Sequence, residues 1–153
     1  MHPCADAEAL AFAQSEPAGT RTAALVRDVA ASAEGAIIEW RRLFHQYPEV
    51  SGHESHTQEM LCGELDRLGV EYRRLDNNGI IATIRGEAPG AYDSAGIPVR
   101  RVALRADIDA LPVTEDTGVP FASKNEGVMH ACGHDAHMAM MLGAIRILLE
   151  TKS

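Results

Sequence analysis

Apolar residues recur every three or four positions through Leu25, Val29, Ala33, Ala36, Ile37, Trp40, Leu43, Phe44 and Tyr47, and beyond Gly69 the interval turns to two. A chain whose apolar period changes in this way has to bury helix faces against strands, which selects an α/β architecture over a helix bundle or a β-sandwich. Pro48 ends the first helical stretch. Ser51 with Glu54 three residues on reads as a capping box that opens a second helix, buried through Leu61, Leu65 and Leu68 and closed by Gly69. Strands are predicted at Val70–Leu75 and Ile80–Ile84 around the turn cluster Asp76–Gly79, and a third at Val99–Ala106 after a loop from Gly86 to Pro98. Residues 113–128 are polar and turn-like. A last helix over Ala136–Glu150 carries Met138, Met141, Ile145 and Leu148 on one face, with Ala139 and Gly143 placed to let its backbone approach a sheet. The expected fold is α/β, with helices packed on a mixed β-sheet.

Composition narrows the function classes. The 153 residues hold 14 Lys+Arg against 22 Asp+Glu, a net charge of −8, with no basic cluster to neutralise phosphates, so no nucleic-acid partner is expected. No apolar run is long enough for a bilayer and the start lacks a secretory pattern, so neither membrane association nor export is expected and the location reads as cytoplasmic. Cys4, Cys62 and Cys132 are odd in number and far apart, which argues against a disulfide scaffold. Cys62 reads as a small buried hydrophobe. The Ala-, Glu-, Ser- and Pro-rich start shows no sustained period, and residues 1–33 are assigned to a mobile leader ahead of a domain over 34–153.

Two segments concentrate metal-competent side chains: Arg105-Ala-Asp107-Ile-Asp109 at a strand end, and His130-Ala-Cys132-Gly-His134-Asp135-Ala-His137. A thiolate and an imidazole two residues apart can meet one ion when Gly133 relaxes the backbone between them, and such ligands suit Zn²⁺ or a neighbouring first-row ion better than Ca²⁺ or Mg²⁺. Cys132 as a nucleophile with a nearby His base is the weaker reading, because a base two residues away seldom has the reach and no oxyanion device is visible. Asp107 and Asp109 are either turn and cap residues or carboxylates that fix a metal-bound imidazole from behind. His2, His45, His53 and His56 read as solvated side chains, Asp135 as a helix cap, and Glu115, Asp116 and Glu126 as polar loop residues aimed at no site.

The segments Arg41-Arg-x-x-His45-x-x-Pro48-Glu-x-Ser51, Arg105-Ala-Asp107-Ile-Asp109-Ala-Leu-Pro112 and Met129-His-Ala-Cys-Gly-His-Asp135 resemble the N-terminal part of the aminoacylase-type metallo-amidohydrolases. Within that family the likeness is to hippurate hydrolases, N-acyl-amino-acid amidohydrolases and indole-acetyl-amino-acid hydrolases, over roughly residues 36 to 150. The resemblance implies a zinc-peptidase-like catalytic domain and a centre of two divalent ions, Zn, Mn or Co. It implies Cys132 and His134 as metal ligands, Cys132 as the candidate bridging ligand, and Asp107 as the catalytic-site aspartate that orients a ligand. Arg105 stands where the wider family has a ligating His. The substrates implied are small N-acyl amino acids, and the complete enzyme is a possible homo-oligomer.

The family's adjacent Glu-Glu pair, with its general base, its two later His ligands and its lid or dimerisation domain find no counterpart in these 153 residues. The chain therefore reads as a partial catalytic domain, inactive alone and binding metal weakly or partially. The alternative is a metal-binding or interaction module without catalysis, with the leader as its contact surface.

Overall fold

The structure, a computed structural model, describes residues 18–152. In chain order the elements are α1 (Ala18–Gln46), α2 (Ser55–Arg67), β1 (Glu71–Arg74), β2 (Ile80–Thr83) and α3 (His134–Thr151). α1 contains no proline and stops just ahead of Tyr47-Pro48, as proline's restriction of the preceding residue requires. It begins at Ala18, so the boundary expected after residue 33 falls inside a continuous helix, with Val29 and Ala33 buried on it. The alanines that blur the apolar period there are also the strongest helix formers. Residues 1–17 of the expected leader, with Cys4 and His2, lie outside the described residues.

α2 is not started by Ser51. Its N-cap is Glu54, which makes no side-chain cap bond, and Ser51 and Gly52 form an exposed turn instead. The orphan amides are satisfied from further back, by Glu49: its carboxylate accepts from His56 N at 3.2 Å, Thr57 N at 2.7 Å and Thr57 Oγ1 at 2.8 Å. An anion at a helix N-terminus is favoured by the helix dipole as well as by these donors. The other end follows expectation. Gly69 takes φ +67°, and the amides of Gly69 and Val70 turn back to the carbonyls of Asp66 and Leu65.

β1 and β2 pair antiparallel, from Glu71 opposite Thr83 to Arg74 opposite Ile80. α2 holds their turn, since Gln58 Nε2 donates to the carbonyls of Leu75 and Gly79. Phe44, Leu61, Leu65, Val70, Met138, Leu142 and Ile145 form the core where α1, α2, the hairpin and α3 meet. The helix-on-sheet α/β class holds, but the third strand does not form. Val99, Val102 and Leu104 are 61%, 88% and 60% exposed, and among the described residues this segment joins no ladder. The parallel component of the sheet is reduced to one bridge, Val50 with Ala110. An alternating apolar sequence becomes a strand only when a neighbour takes its backbone groups.

The close approach at Gly143 is made to a helix rather than to the sheet. A Cβ at Gly143 would lie 2.6 Å from Ile37 Cδ1 of α1. Ala139 is buried on the same helix. Leu148, expected on the buried face, is 44% exposed. Among the described residues no helix is long and apolar enough to cross a membrane.

If Glu49 is the true cap of α2, Glu49→Ala lowers unfolding stability by about 1–2 kcal/mol, the range for loss of a capping side chain. Ser51→Ala changes it by less than about 0.5 kcal/mol. Urea denaturation of the two variants checks the pair.

Candidate metal-binding motif and the buried charge cluster beside it

The residues that share the metal-competent motif are set by one backbone feature. Gly133 adopts φ +87°, ψ 15°, a left-handed conformation that favours glycine, and serves as N-cap of α3, so His134 and Asp135 fall in the helix's first turn. Ala136 N and His137 N both donate to the Gly133 carbonyl. On this turn His134 and Asp135 take separate tasks.

His134 turns to the 105–109 segment. Its Nδ1 lies 2.9 Å from the Asp109 carbonyl oxygen and 2.9 Å from Asp109 Oδ1. Its ring stacks in a tilted arrangement on that of His137, with centroids 5.4 Å apart. Asp107 makes a different contact. Its Oδ1 accepts from Arg105 Nε at 3.0 Å and Nη2 at 2.8 Å, and this Arg105 hydrogen bond, followed by the guanidinium charge, holds the Asp107 carboxyl below its usual range. The imidazole contact expected of Asp107 is thus made by Asp109. Cys132 is free and exposed, and Cys62 is buried as expected. Among the described residues no three His, Cys, Asp or Glu side chains converge on a common metal position.

Asp135 faces the other way, into the protein. It is fully buried, and His45 Nδ1 lies 2.6 Å and Arg41 Nε 3.0 Å from its Oδ2. Its Oδ1 accepts from Ala136 N at 2.9 Å. His45 Nε2 in turn lies 3.2 Å from Glu115 Oε1. The Arg41 and Arg42 guanidiniums sit over the Phe121 ring at 5.0 and 5.2 Å. Burial pushes the Glu115 carboxyl upward, but donation from Thr117 Oγ1, Ser123 N and His45 outweighs it and leaves the group below its ordinary value of 4.5. This cluster ties α1, the 113–128 loop and the start of α3 together.

Sequence reasoning missed most of it. His45 was expected in solvent and is buried, Glu115 was expected to be aimed at nothing, and Asp135 is more than a cap. The available signal was the four-residue spacing of Arg41 and His45, which places both on one face of α1. His53 and His56 are exposed, as expected. His130 is buried with no hydrogen-bond partner among the described residues for either ring nitrogen, and burial, reinforced by the charges of His45 and His134 against those of Asp135 and Asp109, pushes it down to about 4.

Residues 103–153, which include both metal-competent segments, match the model of peptidase family M20/M25/M40. The chain belongs to this family. It is 45% identical over 121 residues to thermostable carboxypeptidase 1 of Saccharolobus solfataricus, covering 78% of this chain and 28% of that protein. It is 42% identical over 117 residues to the N-acyl-L-amino acid amidohydrolase of Geobacillus stearothermophilus, covering 76% and 29%. The crystal structure of the Bacillus subtilis YXEP protein, described as a dinuclear metal-binding peptidase of the M20 family, superposes with a TM-score of 0.70 at 36% identity, over 80% of this chain and 33% of that one. The chain therefore spans about a third or less of the length of these family members.

The donor set fits part of a family metal centre. One imidazole is held through Nδ1 and, among the described residues, makes no hydrogen bond at Nε2, and one thiol is free and exposed. Two ligands fall short of the three protein ligands usual in an open catalytic zinc site.

Removing the Asp135 carboxylate leaves Arg41 and His45 without their buried partner, so Asp135→Ala lowers stability by about 3–5 kcal/mol in thermal or chemical unfolding. Acid sensitivity has a separate source in Glu115. Because its carboxyl is depressed on folding, its contribution is complete above the ordinary value of 4.5 and is lost as pH falls through the lower folded value. Glu115→Gln therefore flattens the stability profile below pH 4.5, which denaturant titrations at stepped pH measure.

Proposed function

We propose that this chain contributes a wall and two ligands to the metal centre of an amidohydrolase that cleaves the amide bond of N-acyl amino acids. The observation that carries the reading is His134, held at Nδ1 and, among the described residues, without a hydrogen bond at Nε2, in a motif it shares with the exposed Cys132. The substrate class rests on the resemblance to the amidohydrolase of G. stearothermophilus, and the metal centre on the dinuclear description of the B. subtilis protein.

Within the centre, His134 Nε2 and the Cys132 thiolate would be this chain's ligands, a soft and borderline pair that favours Zn²⁺, with Mn²⁺ or Co²⁺ as substitutes. A metal held by these residues would supply Lewis acidity and a more acidic water. The chain's own part is to hold the ligands still. Gly133 permits the turn, Asp109 grips the His134 ring, and the Asp135 cluster fixes the helix start from which His134 projects. General acid–base catalysis is typically worth about 10²–10⁴-fold. The carboxylates of the two motifs are already engaged: Asp107 with Arg105, Asp109 with His134, and Asp135 with Arg41 and His45. In this reading the proton-transferring carboxylate belongs to sequence outside these 153 residues.

The 153-residue chain, assayed with added Zn²⁺, Mn²⁺ or Co²⁺ against hippurate and acetyl-amino acids, is expected to show no turnover of its own. In a polypeptide extended to family length, the same substrates are hydrolysed. Cys132→Ser there lowers kcat/KM by more than the roughly 10–100-fold that outer partners of a metal ligand contribute, with a matching loss of bound metal. Unchanged metal content and rate in that variant would overturn the assignment.

A further inference from the structure

We propose that Asn78 is a site of self-modification: its side-chain amide is lost to attack by the Gly79 backbone nitrogen, and the carboxylate so formed, set against the buried Glu54, loosens the β1–β2 turn from α2. The proposal is independent of the metal-centre reading above.

Of the three asparagines in the chain, Asn77, Asn78 and Asn125, Asn78 alone is followed by glycine. A glycine has no side chain to hinder its backbone nitrogen as that nitrogen closes onto the preceding residue. The turn also leaves this nitrogen loosely held. Among the described residues Gly79 N donates to Asn77 Oδ1 alone, at a long 3.4 Å, whereas the Gly79 carbonyl is gripped twice, by Leu75 N at 2.8 Å and Gln58 Nε2 at 3.0 Å. Asn78 is half-buried at φ +64°, a conformation that asparagine and aspartate both tolerate, so the product can stay in the turn and meet Glu54.

Water is the co-reactant, and nothing is oxidised or reduced. The bond from Gly79 N to Asn78 Cγ forms as the bond from Cγ to Nδ2 breaks, and the proton of Gly79 N leaves with the side-chain nitrogen as ammonia. Water then opens the five-membered imide at Cγ, which gives aspartate, or at the main-chain carbonyl carbon, which gives an isoaspartyl link with an extra methylene in the backbone.

Glu54 decides the consequence. Asn78 Nδ2 donates to Glu54 Oε2 at 3.1 Å, and among the described residues no other donor reaches that carboxylate. Glu54 is 6% exposed and is the N-cap of α2. Once the amide is lost, a donor has become an acceptor and two carboxylates face each other with little water between them. Repulsion replaces the bond that tied the turn to the helix start. Glu54, Asn77 and Gly79 line the same open cavity as Asp109 and His134, so one wall of that cavity loosens with the turn.

The test incubates the folded 153-residue chain at mildly alkaline pH and maps its peptides by mass spectrometry. Asn78 should exchange ammonia for water and appear in aspartyl and isoaspartyl forms while Asn77 and Asn125 remain amides. In a second arm, Asn78→Asp should speed hydrogen exchange at the Leu75 amide by about 10–100-fold, the value of a lost hydrogen bond to a charged group, and leave the α3 amides unchanged. Combining Asn78→Asp with Glu54→Gln restores a donor and an acceptor with their places exchanged and should return the Leu75 amide to its wild-type rate. An Asn78 that stays intact in the folded chain while it converts in urea would overturn the proposal, as would equal conversion at Asn77 or Asn125. So would wild-type exchange in Asn78→Asp, or a loss there that Glu54→Gln does not repair.

Discussion

The buried carboxylate of Asp135 is the contact on which the rest of this structure depends. An ionised group enclosed at the start of a helix is stable only if neighbours replace the water it loses. Here the replacements come from three directions: the guanidinium of Arg41 and the imidazole of His45 on α1, and the helix's own first-turn amide at Ala136. The N-terminal end of the α3 dipole adds a favourable field. Because His45 also meets Glu115, the same interaction fastens the otherwise irregular 113–128 loop to the two helices. The apolar contact of α1 with α3, close enough at Gly143 that a Cβ would collide with Ile37, completes the joint.

That joint decides what the motif can present. With Asp135 fixed inward and Gly133 in its left-handed conformation, the adjoining His134 turns toward Asp109 and Cys132 remains at the surface. Adjacent positions on one helical turn thus hold a candidate ligand and an anchoring acid. The 105–109 segment divides its acids similarly, one neutralised by arginine and one joined to the imidazole. Beside this region, Val99, Val102 and Leu104 stand exposed along a segment that joins no ladder among the described residues.

Much of this was legible in the sequence where local rules decide the outcome. The helix stop before Pro48, the Gly69 helix end and the buried stripe of Leu61 and Leu65 follow from residue type and spacing alone. The motif around Cys132 and His134 was legible because its residue types are rare at such density. What escaped depends on partners distant in sequence. Glu49 caps α2 in place of Ser51, because a carboxylate reaching back over a turn competes with a local hydroxyl. His45 and Glu115 are seventy residues apart and meet only through the fold. Asp107 and Asp109 are indistinguishable by spacing, and only the placement of Arg105 and His134 separates them. The run from Val99 to Ala106 has the pattern of a strand, but pattern supplies no pairing edge.

The central claim is that Cys132 and His134 are metal ligands from one motif. X-ray absorption at the zinc edge of the zinc-loaded 153-residue chain tests it most directly. The account predicts one sulfur at about 2.3 Å and one imidazole nitrogen at about 2.0 Å, with lighter scatterers completing the shell. A shell without sulfur, or an unchanged spectrum in Cys132→Ser, would contradict it.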